Sequence, residues 1–219
     1  MSNVVVYQNT NGLKIGIKIL TIIIIFFLSI DLLMTFISFM ASMESNSNNK
    51  LLQNIEYHSS TRYFVNLFHL VFIIMYFRWI HLSYKNLNNF SINGLEFNSK
   101  SAIVYYFIPV LNLFKPFNSM KELWLSSNIK NFDNLNDKNI NWKEYDVPGI
   151  LNFWWILFIF GYILNTVVFL YPTTNDNIKI WAIFVLLGCI TSIFSMIYTN
   201  KIVRIITMLQ NEMMESYKN

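Results

Sequence analysis

Asp31 and His69 are ionisable side chains in apolar surroundings that do not favour a charge. Each lies within a long run of apolar residues. An ionisable group inside a bilayer is costly, so it marks a candidate functional site. The two runs follow one another in the chain, and the side chains can therefore meet as an intramembrane polar pair. Such a pair could relay a proton or bind an ion, or it could supply a hydrogen bond that fixes two helices, which is the commoner role.

No other set of residues has the spacing of a catalytic or metal centre. The sequence contains no HExxH, no GxSxG and no glycine-rich phosphate loop. The histidines His58, His69 and His81 do not have the i, i+4 spacing of a helical metal site. Cys189 is the single cysteine, which excludes an intrachain disulfide and a CxxC metal site. We therefore expect no enzyme, no cofactor and no metal.

The elements that carry Asp31 and His69 are predicted membrane spans. With 54% hydrophobic residues, 13% charged residues and a mean hydropathy of +0.40, the chain is unlike a soluble globular domain. A helix needs about 20 apolar residues to cross the hydrocarbon core. Four stretches meet this length, and they predict a single all-α integral membrane domain over residues 1–219 with transmembrane helices at about 15–41, 62–84, 147–171 and 178–199.

The segment from 102 to 114 is apolar but too short for an ordinary span. Pro109 interrupts it, and proline removes a backbone donor and kinks a helix. This pattern predicts a proline-broken half-helix that is re-entrant or tilted, with a fifth full span as the alternative. Pro116 suits the first turn of a new helix, at about 116–127. Apolar residues at helical spacing predict that this amphipathic helix lies in the interface, with Trp124 at the headgroups.

The positive charges predict the orientation of the chain. Lys and Arg near span ends favour the cytoplasmic side. With the N-terminus inside, thirteen of these residues are interior and three, Lys50, Arg62 and Lys179, are exterior. Both termini and the 85–146 block are thus expected in the cytoplasm. Residues 42–61 and 172–177 are expected to be exterior connectors, and 128–143 a flexible loop. An apolar stripe beyond residue 199 predicts a helical tail that lies on the membrane or pairs with a neighbour.

Several short motifs between residues 78 and 124 form a recognisable series. They are Arg78-Trp79, Asn86-Leu87, Gly94-Leu95, Tyr106-Phe107-Ile108-Pro109, Asn112-Leu113, Pro116 and Glu122-Leu123-Trp124. The series resembles the bacterial membrane family known as domain of unknown function 4328, over about residues 54–198. The chain departs from the family pattern at Tyr106, where Trp is usual, and at residues 100–102, where Pro or Gly often starts the segment. The resemblance implies a structural role for the motif residues Arg78, Trp79, Asn86, Phe107, Pro109, Asn112, Pro116, Glu122 and Trp124, and it implies no activity.

Two functions are compatible with these features. The first is an interaction or assembly module of the bacterial inner membrane, with the half-helix and the following helix as a cytoplasmic docking face. The alternative is a channel or transporter component that acts as an oligomer, in which the broken segment lines a cavity. The expected partners are the lipid bilayer and either further copies of the chain or another membrane protein. Nucleic acid is not expected, because the lysines are scattered and no stacking platform accompanies them.

Overall fold

The computed structural model describes residues 6–45, 49–128, 146–170 and 178–216, and these residues are helical with short connections. The predicted connector at 172–177 and nearly all of the predicted flexible loop at 128–143 lie outside the described residues. No β-strand occurs in the described ranges. The α-helices are α1 (Asn11–Ser45), α2 (Asn49–Asn89), α3 (Ser101–Val104), α4 (Lys115–Ser126), α5 (Gly149–Leu170) and α6 (Ile178–Ser216), and a 3-10 helix covers Leu111–Leu113.

Four of these helices are long and apolar enough to cross a membrane, namely α1, α2, α5 and α6. This confirms the prediction of four candidate spans in an all-helical chain. Many large apolar side chains on these helices point outward, among them Phe26, which is 60% exposed, and Ile156, which is 64% exposed. Such surfaces suit acyl chains, since lipid is as apolar as the side chains themselves.

The connector predicted at 42–61 is helical over most of its length, which corrects the sequence-based expectation. Helix α1 continues to Ser45 and α2 already begins at Asn49. Ser and Asn are weak helix formers, and their abundance here suggested a loop. Once a helix is nucleated, however, each further residue adds a hydrogen bond at small cost, so polar extensions of an apolar helix remain helical.

The chain forms two compact units. Unit 1 contains Met1–Lys18, Ile73–Phe153 and Thr199–Asn219, and unit 2 contains Ile19–Phe72 and Trp154–Tyr198. The four long helices each contribute residues to both units. Helices α3 and α4 belong entirely to unit 1.

In unit 2, helices α5 and α6 run antiparallel and approach closely at small residues. A Cβ atom added at Gly161 would lie 3.2 Å from Thr191 Oγ1, and one added at Gly188 would lie 3.5 Å from Asn165 Oδ1. Small residues let transmembrane helices approach in this way. Trp181 Nε1 also donates to the carbonyl of Val168 at 3.4 Å, which is consistent with the antiparallel register.

In unit 1, the C-terminal part of α6 is buried within the chain. Ile202, Val203, Ile206 and Met213 are at most 1% exposed. The apolar stripe beyond residue 199 is therefore covered by the chain itself, whereas the sequence predicted a tail that lies on the membrane or pairs with a neighbour. Helical periodicity predicts that a stripe is buried, but it does not identify the surface that covers it.

The C-terminal end of α2 is closed by a Schellman motif in unit 1. Ile92 N donates to the carbonyl of Leu87 at 3.1 Å, and Ser91 N donates to the carbonyl of Asn88 at 2.9 Å. Ser91 has a φ of 58°, in the left-handed region that glycine usually occupies at this position. Leu87 and Ile92, the two apolar residues that this motif brings together, are both buried. The chain therefore turns sharply at a serine that is under backbone strain.

Substitution of Ser91 by glycine should stabilise the protein. Glycine adopts a positive φ without the steric cost that a Cβ atom imposes, so Ser91→Gly should raise the free energy of unfolding by about 0.5–1 kcal/mol. Thermal unfolding of the purified chain in detergent measures the effect. Asn93→Gly is the matched control, because Asn93 is exposed and has no positive φ, and it should leave the melting temperature unchanged or lower it. A lower melting temperature for Ser91→Gly would contradict the left-handed conformation.

Candidate functional site

Trp79 anchors the centre of unit 1 through a buried hydrogen bond. Its ring is 0% exposed, and Nε1 donates to Thr207 Oγ1 at 3.0 Å. The bond joins α2 to the C-terminal part of α6. Buried Trp requires such an acceptor for its single N–H group. The preceding residue, Arg78, is exposed, so the Arg-Trp motif directs one side chain inward and one outward.

Asn86 and Gln210 form a second and larger buried connection. Both side chains are 0% exposed, and Asn86 Nδ2 donates to Gln210 Oε1 at 3.1 Å. Asn86 also binds the backbone of Gln8, accepting from its N–H at 2.8 Å and donating to its carbonyl at 3.0 Å. Gln210 Nε2 donates to the carbonyl of Ser83 at 3.0 Å and to Ser127 Oγ at 3.1 Å. One amide pair thus joins the N-terminal segment, α2, α6 and the residue that caps the C-terminal end of α4.

Glu122 is a buried carboxylate that holds the chain between α2 and α3. Its oxygens accept from the backbone N–H of Glu96 at 2.6 Å and of Phe97 at 3.1 Å. Burial raises the pKa of Glu122 to about 7, and the two N–H donors oppose this rise because they favour the ionised form. On the exposed side, Lys115 Nζ lies 2.9 Å from Glu96 Oε1, and this carboxylate raises the pKa of Lys115.

Helix α4 packs into unit 1 on more than one face. Pro116 occupies its first turn, as predicted, and Pro116, Met120, Glu122 and Leu123 are all buried. Tyr84 OH donates to the carbonyl of Ser119, a residue of α4, at 2.7 Å. Trp124, by contrast, is only half-buried. Most of the helix is therefore covered by protein.

The proline segment that precedes α4 is divided into short turns. Asn98 Oδ1 accepts from the N–H of Lys100 and Ser101, and Ser101 Oγ accepts in return from the N–H of Asn98. These reciprocal bonds close a turn from Asn98 to Ser101 directly before α3, whose own N-cap residue, Lys100, makes no side-chain cap bond. The half-helix predicted at 102–114 is reduced to α3, a series of turns and the 3-10 helix Leu111–Leu113, because Pro109 cannot continue a helix.

Val110 adopts a strained conformation directly after Pro109. Its φ is 66° and its ψ is −49°, and Leu111 N donates to the carbonyl of Pro109 at 2.8 Å. These are the features of a γ-turn of the rare, strained kind. A positive φ is unusual for a β-branched residue, and local strain of this type costs about 1–3 kcal/mol. The surrounding structure of unit 1 must therefore enforce this turn.

The strained turn presents a set of exposed apolar side chains, which we name the apolar patch. Phe107, Val110 and Phe114 are 69%, 68% and 61% exposed, and the other members of the set are less exposed. Of its two aromatic members, Phe107 contacts an aromatic ring of α2, since the ring centroids of Phe77 and Phe107 are 5.5 Å apart. The members of the apolar patch are Val104, Phe107, Ile108, Val110, Leu111 and Phe114.

The predicted intramembrane pair, Asp31 and His69, lines one cavity of unit 2. The cavity has a volume of about 390 Å³. Asp31 is 7% exposed, and His69 Nδ1 lies 3.0 Å from the carbonyl oxygen of Val65. Besides this pair, the polar lining consists of Asn66, Asn165, Cys189 and Ser192, and four aliphatic side chains complete it. The structure thus places both predicted residues at one site and adds further polar groups to it.

A comparison with known protein families decides the identity of the chain. The model of the family described as Domain of unknown function (DUF4328) matches residues 47–211. The chain belongs to the DUF4328 family. No curated protein and no solved structure matches it. The family match confirms the resemblance seen in the motifs, and the DUF4328 description supplies no activity.

Motif residues of this DUF4328 chain fall into two groups. Trp79, Asn86, Pro116 and Glu122 are buried. Arg78, Phe107 and Pro109 are exposed, and Asn112 and Trp124 are half-buried. Sequence reasoning missed the partners of the buried group, among them Thr207, Gln210 and Gln8. One sequence feature could have indicated these partners. Thr207 and Gln210 are polar residues within the apolar stripe of α6, and both are buried.

Protonation of Glu122 should make stability depend on pH. The pKa is raised from 4.5 to about 7, so the folded state holds the proton more tightly than the unfolded state. This contribution is fully present below about pH 4.5 and is lost as the pH rises through about 7, with a total of about 3 kcal/mol. The melting temperature of the wild type in detergent should therefore fall between pH 5 and pH 8 relative to that of Glu122→Gln.

Glu96→Gln is the matched control for Glu122. The Glu96 carboxylate is about a third exposed and pairs with Lys115, and it is the smallest of the causes that act on the pKa of Glu122, so Glu96→Gln should keep most of the pH dependence of the wild type. A melting-temperature difference between wild type and Glu122→Gln that stays constant from pH 5 to pH 8 would contradict the raised pKa.

Proposed function

We propose that this DUF4328 protein is an assembly module of a membrane, and that its apolar patch docks another membrane protein. The chain has four candidate spans and belongs to a family without a described activity. The observation that carries the proposal is the exposure of the apolar patch in unit 1. Large exposed apolar patches mark interaction sites, because contact between water and an apolar surface is unfavourable.

The conformation of the patch favours a protein as its partner. Side chains that only enter lipid need no defined backbone, whereas a docking surface gains affinity when it is preorganised. Here the strained turn at Val110 gives the backbone of the patch a defined conformation, and the ring of Phe77 packs against the ring of Phe107. Aromatic residues are also enriched at the centres of interfaces.

Location and orientation form part of the same proposal. The charge bias supports cytoplasmic positions for both termini and for the segment that carries the patch, in the inner membrane of a bacterium. We place the proline segment and the half-buried Trp124 of α4 at the interface, where lipid headgroups and the partner meet them. The module needs no catalysis and no nucleic acid, and its partner is a membrane protein or a further copy of the chain.

The second candidate is an oligomeric channel or transporter component. The polar cavity of unit 2 favours it, because Asp31 and His69 lie at one site within candidate spans. Cation flux through the reconstituted wild type that is lost in Asp31→Asn would distinguish this function from docking alone.

Photo-crosslinking from the apolar patch tests the docking proposal. A benzophenone amino acid in place of Phe107 or Val110 should form an adduct of discrete mass with one protein in intact membranes, because both positions would lie inside the interface. Ile156 is the matched control, since it is similarly exposed but lies within the candidate span α5. Mass spectrometry then identifies the partner, which includes the case of a second copy. Adducts with lipid alone at Phe107 and Val110 would overturn docking.

Impermeant labelling tests the proposed orientation. In a Cys189→Ser background, a cysteine at Met43 should react with a charged maleimide added to intact spheroplasts, because Met43 is the last residue of the first candidate span, at its proposed exterior end. A cysteine at Asn93 should react only after permeabilisation. Both positions are exposed, so access to the side chain does not limit the reaction. Labelling of Asn93 without labelling of Met43 would reverse the orientation.

A further inference from the structure

We propose that unit 1 binds an anionic phospholipid where α1 meets the C-terminal part of α6, with Lys18 and Arg204 as the residues that hold its phosphate group. We name these two residues the basic pair, and both belong to unit 1. The site does not depend on the docking role of the apolar patch, because the patch lies between Val104 and Phe114 and the basic pair lies on other helices.

Polar side chains join the start of α1 to the end of α6. Tyr7 OH donates to Asn211 Oδ1 at 2.6 Å, and Asn211 Nδ2 donates to Asn11 Oδ1 at 3.5 Å. Lys14 Nζ donates to the same oxygen of Asn11 at 2.8 Å. Asn11 and Asn211 therefore mark one level at which the two helices are in contact.

Contacts with α2 give the direction of α1. The backbone of Gln8, just before α1, bonds to Asn86, whereas Gly16 lies against the side chain of Met75. Higher residue numbers on α1 therefore meet lower residue numbers on α2. Helix α1 thus runs antiparallel to α2.

Contacts with α2 also give the direction of α6. Trp79 bonds to Thr207, and Asn86, which lies further along α2, bonds to Gln210. Higher residue numbers on α6 meet higher residue numbers on α2, so these two helices run parallel. It follows that α1 and α6 are antiparallel.

The basic pair lies at one level of this antiparallel contact. Lys18 is seven residues after Asn11, and Arg204 is seven residues before Asn211. Seven residues make about two helical turns, so each basic residue lies on the same side of its helix as the Asn and about 10 Å from it along the axis. Because the helices are antiparallel, the two displacements point the same way. Both basic residues are exposed, so the fold brings two accessible cations to one place.

Two cations at one level favour an anion as the ligand. Like charges repel each other, and an anion that contacts both relieves this repulsion. The nearest acidic residues on the same helices, Asp31 and Glu212, are thirteen residues from Lys18 and eight from Arg204. An arginine and a lysine together suit a phosphate group, since the guanidinium can bind two of its oxygens and the ammonium adds a point charge.

The position of the basic pair along the candidate spans favours a lipid over a soluble anion. Residues 19–30 of α1 and residues 180–200 of α6 contain no Asp, Glu, Lys or Arg. Lys18 directly precedes the first of these stretches, and Lys201, which is exposed and one turn from Arg204, directly follows the second. Basic residues at the ends of apolar spans meet the phosphates of the lipid headgroups.

Titration of dioleoyl phosphatidylglycerol onto the detergent-purified full chain tests the proposal, with native mass spectrometry as the readout. The wild type should bind this lipid at least about tenfold more tightly than dioleoyl phosphatidylcholine, whose headgroup has the same phosphate but no net charge. Equal affinity for the two lipids would overturn the site, and this arm of the experiment needs no variant.

Substitution of the basic pair locates the bound lipid. Lys18→Gln with Arg204→Gln should weaken phosphatidylglycerol binding at least about tenfold, because both charges that face the phosphate are removed. Lys85→Gln with Lys100→Gln is the matched control, since it removes the same charge from two exposed residues of unit 1 that lie outside α1 and α6, and it should bind like the wild type. The exchange of Lys18→Arg with Arg204→Lys keeps both charges and should retain the binding. Equal affinities of the basic-pair variant and its control would contradict the proposal.

Competition with sn-glycerol 3-phosphate distinguishes a lipid from a soluble anion. This compound presents the phosphate without acyl chains, and at equal concentration it should not displace phosphatidylglycerol from the wild type. Displacement would assign the basic pair to a soluble phosphate compound and would overturn the lipid as its ligand.

Discussion

The amide pair of Asn86 and Gln210 is the interaction on which unit 1 depends. Both side chains are fully buried, and together they bond to the backbone of Gln8 and Ser83 and to the hydroxyl of Ser127. A buried amide that loses a partner keeps the full cost of its desolvation, so the arrangement is stable only when all the elements are in place. The pair therefore specifies one packing of α2 and α6 in a chain whose apolar surfaces alone would permit several.

Glu122 extends this framework toward the surface. Its carboxylate accepts hydrogen bonds from two backbone N–H groups of the chain that follows α2. These bonds fix the position at which the proline segment starts. Tyr84 adds a bond from α2 to the backbone of α4. The strained turn at Val110 lies in the chain between α3 and α4, and strain persists only where surrounding structure determines it. The buried polar groups thus explain how the apolar patch is kept exposed.

Unit 2 uses polar residues in a different way. Close packing of α5 and α6 relies on glycines opposite Thr191 and Asn165, as in many transmembrane pairs. The residues around Asp31 and His69 instead line a cavity.

Much of the fold follows from the sequence alone. The four candidate spans, the helix that starts near Pro116 and the helical continuation of α6 are set by composition and local periodicity, because every hydrogen bond of a helix joins residues close in sequence. The position of Asp31 and His69 on consecutive spans likewise predicted that the two side chains could meet, and both line one cavity of unit 2. The DUF4328 motifs identified the family but no chemistry.

Only the tertiary structure decided which side chains meet across the chain. In the sequence, Thr207 and Gln210 are polar residues that interrupt an apolar stripe. Nothing in their local sequence shows that they accept hydrogen bonds from Trp79 and Asn86, which lie more than a hundred residues earlier in the chain. The burial of Glu122 and the exposure of Phe107 were equally hidden, because burial depends on the surfaces that fold against a segment and not on the segment itself. Periodicity therefore fixes elements, whereas the site is fixed by contacts between distant parts of the chain.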